Sequence, residues 1–151
     1  MAFISIISNK SKYLQSLDLS QDKSIAFLKN TSEINLCKNN KNILITCITG
    51  EIIPKEIIMQ FDLAFNVHPG HHLYPGRDPH HFACYDAFEY WGATLHHLTE
   101  NVDQGEILRI NNIRVSKTIS PLHRMKIGER NAISLLKNLI QSLRINGYEK
   151  I

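Results

Sequence analysis

Apolar positions along the chain fall into short runs set between polar, sharply punctuated stretches. AFISII at 2–7 is a short apolar run and ILITCI at 43–48 a continuous one, both rich in β-branched residues. Runs of that length, closed by Ser8-Asn9 and by Thr49-Gly50, read as strands covered on both faces, as in a parallel sheet. DLAFNV at 62–67 is a third such strand. Between them, KSKYLQSLDL at 10–19 places Tyr13, Leu14 and Leu17 at helical spacing. PKEIIMQF at 54–61 reads as a helix with Pro54 in its first turn, where a missing N–H costs nothing. SIAFL at 24–28 reads as a strand, and the Asn/Lys-rich segment that follows it as loop. Strand, helix, strand, helix, strand implies right-handed parallel crossovers.

The second half keeps the alternation. HFACYDAFEYW at 81–91 predicts a helix. GATLHHLTE at 92–100 predicts a strand with Ala93, Leu95 and His97 on one face and Thr94, His96 and Leu98 on the other. ILRINNIRV at 107–115 predicts a further strand, kinked at Asn111-Asn112. Residues 120–145 predict a long amphipathic helix. Ser120 is its N-cap, Pro121 its first residue, and Gly147 follows its end. Leu122, Met125, Ala132, Leu135, Leu136, Leu139, Ile140 and Leu143 form its apolar stripe. The pattern predicts one α/β domain over 1–151, a mostly parallel twisted sheet flanked by helices. Its N-terminal half is reduced, since about 35 residues separate the first two apolar runs.

Composition changes this picture little. A chain of 151 residues, 43% apolar and 21% charged, is an ordinary globule. A net charge of +3 on scattered basic residues predicts no nucleic-acid footprint. Cys37, Cys47 and Cys84, odd in number and widely spaced, predict reduced thiols in the cytoplasm rather than a disulfide framework. Cys47 and Cys84 read as small buried hydrophobes. The N-terminal apolar run is too short for a leader or a membrane span, so no membrane association is expected.

One segment carries the chemistry. NVHPGHHLYPGRDPHH at 66–81 holds five of the eight histidines, three of the five prolines and two of the seven glycines. It follows directly on a strand, and ligands of open α/β sheets bind beyond the carboxyl ends of the strands. Asn66 and His68, two apart in extended chain, point the same way. An amide donor beside a proton carrier suits acyl transfer. Asp103, in the loop TENVDQGEI before the last strand, is placed to be the third member. Adjacent pairs His71-His72 and His80-His81 diverge in extended chain and lack a metal-site spacing. They predict an exposed loop with incidental metal affinity rather than a dedicated metal site. His96, within a strand, predicts a hydrogen-bonded core histidine, and Arg77 a loop brace or an anion contact.

Together, Asn66-Val67-His68-Pro69-Gly70, Gly76-Arg77-Asp78-Pro79 and GATLHHLTENVDQGEIL resemble the folate-dependent formyltransferases. Asn66, His68 and Asp103 match that family's catalytic triad. Gly92, Thr94 and His96 match its G-x-T-x-H strand, and Asp103, Gly105 and Ile107 its closing motif. The likeness covers roughly residues 43–143. It implies a Rossmann-like domain and N10-formyltetrahydrofolate as co-substrate. It further implies that Thr49, Gly50, Glu51, Ile52 and Ile53, with Glu100, Asn101 and Val102, hold the pterin largely by backbone groups. Asn101 stands where the family has glycine, and asparagine tolerates positive φ. Ser8-Asn9-Lys10-Ser11 stands in place of a Gly-rich loop, with Lys10 as an anion contact. The expected reaction is formyl transfer to a small-molecule amine, the lead acceptor being an amino sugar attached to a nucleotide. The alternatives are a formyltetrahydrofolate hydrolase, a non-catalytic folate- or nucleotide-binding relative, and a His-loop metal-binding protein. A leftover face of the last helix could form a homodimer.

Overall fold

The computed structural model describes residues 2–10, 14, 17 and 22–146. Each short apolar run becomes a strand because both of its faces meet cover. The strands are β1 (Ala2–Ile7), β2 (Ile25–Leu28), β3 (Lys41–Cys47), β4 (Leu63–His68), β5 (Tyr90–His97) and β6 (Ile107–Arg114). They form one sheet in the order β2-β1-β3-β4-β5-β6. β2, β1, β3 and β4 run parallel, while β5 and β6 join antiparallel. The helices are α1 (Lys55–Ile58), α2 (Pro79–Tyr85) and α3 (Pro121–Asn146). The Rossmann-like α/β fold expected from the sequence is the one observed.

The larger core lies between α3 and the sheet. Ile4, Ile6, Ile43, Ile45, Phe65, Val67, Ala93 and Leu95 meet Ala132, Leu135, Leu136, Leu139, Ile140 and Leu143 there. A smaller core on the opposite face gathers Ile7, Leu44, Ile53 and Phe61. Neighbours in β1 and β3 thus serve opposite faces, which is why neither strand alternates with polar residues. Cys47 lies fully inside, and burial pushes its thiol up to about 12. Cys84 is only half-buried, with its Sγ 3.3 Å from the Ile119 carbonyl.

Several sequence expectations change. The helix expected over 10–19 lies outside the described residues, apart from residues 10, 14 and 17; Leu14 and Leu17 are buried in the larger core. α1 has four residues rather than eight, and Pro54 is its extended N-cap. The chain leaves the helix at Met59 because Phe61 drops into the smaller core. α2 stops at Tyr85, and Tyr90 and Trp91 belong to β5. Ala87, at φ 50°, ends α2, with its N–H on the Cys84 carbonyl and the Phe88 N–H on the Ala83 carbonyl. That pair of bonds is the left-handed stop usually built on glycine. β6 pairs evenly through Asn111 and Asn112, and the irregularity falls at Leu95/His96 instead, where Leu108 is the extra residue. In the α3 stripe, Leu122 is exposed, while Arg124 is fully buried over the Trp91 ring.

Ser120 caps α3 as expected, its Oγ accepting the His123 N–H at 3.3 Å. Ser120→Ala should cost about 1 kcal/mol of folding stability. A urea midpoint unchanged from the native chain would show that the cap contributes nothing.

Candidate active site

β3 and β4 run side by side in parallel, so Thr46 and Asn66 are register partners. The Thr46 Oγ donates to Asn66 Oδ1 at 2.7 Å. This fixes the amide so that its NH2 group faces away, toward Asp103. Asn66 Nδ2 donates to Asp103 Oδ1 at 2.7 Å. His68, two residues on and on the same side of β4, sets Nδ1 3.1 Å from Asp103 Oδ2. The Gly76 N–H donates to the same oxygen at 2.8 Å. His96 comes from β5, where Asn66 and His96 are partners. Its Nδ1 donates to the His97 carbonyl at 2.7 Å, and its Nε2 lies 3.0 Å from the Asn66 amide nitrogen. The same Nε2 lies 3.3 Å from Asp103 Oδ1.

The structure therefore brings together the three side chains singled out from the sequence. Asp103 is the hub. Burial pushes its carboxyl up, but hydrogen bonds from His68 and His96, the His68 charge and the Gly76 N–H outweigh this and hold it well below the usual carboxylate range. Such a carboxylate is a poor proton acceptor. The Asp103 backbone is left-handed, φ 53°. The positive φ expected at Asn101 falls on Asp103 instead, because the turn must aim the carboxylate back at β4. Asp also tolerates that region. Ile48, directly after β3, has φ 52° as well, a strained conformation for a β-branched residue. Strain of this kind collects at functional sites.

Thr46, Ile48, Asn66, His68 and Asp103 line a cleft of about 650 Å³ at the carboxyl ends of β1, β3 and β4. Thr49, Gly50, Glu51, Ile52 and Ile53 line one side, and Glu100 and Val102 another; Asn101 does not reach it. The side chains in the first loop are largely occupied elsewhere. Glu51 accepts from the Thr31 N–H and hydroxyl, and Ile53 is buried in the smaller core. At the far end stand Asn9, Lys10, Arg77 and Glu129. Lys10 pairs with Glu129 at 3.3 Å, whereas Arg77 is exposed and has no ion-pair partner among the described residues.

The histidine loop is not the uniformly exposed segment expected. His71 is buried against His72 and Phe88, and burial, then the neighbouring His72, lowers it to about 4. Among the described residues no three His, Cys, Asp or Glu side chains converge to hold a metal ion. Two contributions escaped the sequence reading: the Thr46 hydroxyl on Asn66, and the place of His96 Nε2 beside Asn66 and Asp103. A register argument would have found Thr46, since it occupies the same strand level as Asn66.

The sequence matches the family described as formyl transferase over residues 4–126, most of the chain, and the chain belongs to that family. It is therefore an enzyme of formyl transfer. No curated protein matches the sequence. Solved structures share the fold. A sugar N-formyltransferase from a Shewanella species superposes with a TM-score of 0.74 at 20% identity, over 99% of this chain and 72% of that one. A phosphoribosylglycinamide formyltransferase from Anaplasma phagocytophilum gives 0.72 at 10% identity, over 95% and 87%. An N-formyltransferase from Helicobacter canadensis, solved with folinic acid and dTDP-3-aminofucose, gives 0.73 at 17% identity, over 99% and 66%. Among the described residues no helix is long and apolar enough to cross a membrane.

Proposed function

We propose that the chain transfers formyl from N10-formyltetrahydrofolate to the amine of a nucleotide-linked amino sugar, with residues 1–151 working as one catalytic domain. The observation that carries this reading is the Asp103 carboxylate joining Asn66 and His68 on one wall of the cleft. The acceptor nitrogen attacks the formyl carbon there. The tetrahedral oxygen takes an N–H from the Asn66 amide and is stabilised by the positive charge of the neighbouring His68 ring; the amine gives up a proton, and N10 of the folate leaves with one. Asp103 keeps both donors aimed and balances the charge of a protonated His68. Backbone groups of 49–53 and of the 100–102 loop hold the pterin. Arg77, with no ion-pair partner among the described residues, offers a cation to the acceptor's phosphates. The folinic acid and nucleotide-linked amino sugar bound by the Helicobacter canadensis enzyme support the same pairing. The reading puts the enzyme in the cytoplasm, in one-carbon metabolism, with a leftover face of α3 that could pair two copies.

The test is the absorbance change on deformylation of N10-formyltetrahydrofolate, with and without dTDP-linked and UDP-linked amino sugars. Turnover that requires an amino sugar is expected. Equal consumption without any amine would mean a hydrolase, and no consumption under any condition would end the proposal.

A further inference from the structure

His68 is held at both edges. Its Nδ1 meets Asp103, and its Nε2 lies 2.9 Å from the backbone carbonyl of Tyr74. That carbonyl arrives by an unusual route. Pro69 and Gly70 reverse the chain directly over the ring, so closely that a Cβ on Gly70 would lie 2.5 Å from His68 Nε2. Thr94 Oγ fastens the start of the loop by donating to the Gly70 carbonyl at 3.0 Å. The end of the loop returns to Asp103 through the Gly76 N–H. One loop thus grips the ring and the carboxylate that faces it.

What keeps the Tyr74 carbonyl in place is the Tyr74 side chain. Its ring lies edge-on to Phe88 at 5.3 Å and against Trp91 at 6.0 Å. Its hydroxyl donates to Asp86 at 2.9 Å. Trp91 is fully buried, and from α3 the Arg124 guanidinium covers it at 5.2 Å and donates to the Phe88 carbonyl at 2.8 Å. An unbroken column of contacts therefore runs from α3 through Trp91 and Tyr74 to the imidazole.

We propose that Tyr74 is a positioning residue for the formyl transfer. Its ring anchors the loop so that its carbonyl sets the plane of the His68 imidazole, and it touches no reactant. This rests on the functional reading above. The stored geometry is small in extent but decisive, because misplacing a reacting group by about 1 Å can cost on the order of 100-fold in rate.

The experiment compares Tyr74→Ala and Tyr74→Phe with the native enzyme, using N10-formyltetrahydrofolate and dTDP-3-aminofucose. Tyr74→Ala should lower kcat by about tenfold or more with both KM values within about twofold. Tyr74→Phe keeps the ring packing and should restore most of the rate. Should Tyr74→Ala not fold, Tyr74→Leu carries the same expectation. A second readout needs no turnover. The proton on His68 Nε2, bonded to a protein carbonyl, should give a slowly exchanging imidazole N–H signal in the NMR spectrum. That signal should be absent in His68→Gln and lost or fast-exchanging in Tyr74→Ala. A native-like kcat in Tyr74→Ala, a loss confined to KM, or an unchanged N–H signal would each overturn the assignment. A native enzyme without turnover but with the expected signal change would instead count against the functional reading alone.

Discussion

Asp103→Asn should lower kcat by on the order of a thousandfold, although the side chain keeps its shape. Both carboxylate oxygens already accept hydrogen bonds, Oδ1 from the Asn66 amide and Oδ2 from His68 and the Gly76 N–H. An amide cannot accept at both ends. Whichever way it lies, its NH2 group meets another N–H, and the negative charge that balances a protonated His68 is gone. Two donors then turn elsewhere, and the formyl carbon loses its fixed surroundings. Folding stability should drop as well, by about 2–4 kcal/mol, because buried donors are left facing one another. The pH dependence follows with a definite sign. The Asp103 carboxyl is depressed in the folded state. Its contribution is fully present above about pH 5 and is lost as pH falls through the unfolded carboxylate value near 3.9 and on below it. Asp103→Asn lacks that contribution, so its stability should fall less steeply on acidification. Urea unfolding of both chains at stepped pH checks this. Parallel acid profiles, or a kcat within a few fold of native, would remove Asp103 from the centre of the site.

The route by which these residues could be read from the sequence explains what was legible. β1, β3 and β4 declared themselves because short, mostly apolar runs bounded by turn residues have few other uses in an α/β domain. Asn66, His68 and Asp103 stood out because the end of β4 and the loop before β6 adjoin segments dense in turn residues and match a known spacing. What stayed hidden depends on pairings between distant segments. Thr46 orients Asn66 only because β3 and β4 pair in that register. Tyr74 reaches His68 only because the loop doubles back over Gly70. α1 and α2 were drawn too long because helical spacing extends past the point where tertiary demands intervene. Phe61 is claimed by the smaller core, and Tyr90 by the pairing of β5 with Arg114. His96 was read as a core histidine, and it is one, but its Nε2 side is also part of the wall around Asp103.

Two glycines with the same steric problem should fail in different ways. At Gly92 an added Cβ would lie 1.8 Å from the Asn111 carbonyl oxygen and 2.8 Å from the Asn112 Cα, all backbone of β6. No rotamer change relieves that contact, and Gly92 sits in the middle of a ladder held from Tyr90 to His96. β6 has to separate from β5, so Gly92→Ala should cost about 4 kcal/mol, a large share of the stability of a typical domain. The folded fraction should retain nearly native kcat, since no site residue moves. At Gly105 an added Cβ would meet the His97 carbonyl oxygen, again at 1.8 Å, with His96 Nδ1 at 3.1 Å. Gly105, however, lies in a loop before β6 begins at Ile107. The loop can relieve the clash by moving outward, and Asp103, two residues earlier and already at positive φ, moves with it. Gly105→Ala should therefore spare more of the stability and lose kcat by about tenfold or more, through displacement of the carboxylate from Asn66 and His68. Thermal unfolding and kcat per folded molecule, measured on both variants, separate the two outcomes. Equal stability losses with native kcat in both would mean that the Asp103 loop is as rigid as the sheet, and that its glycine serves the fold alone.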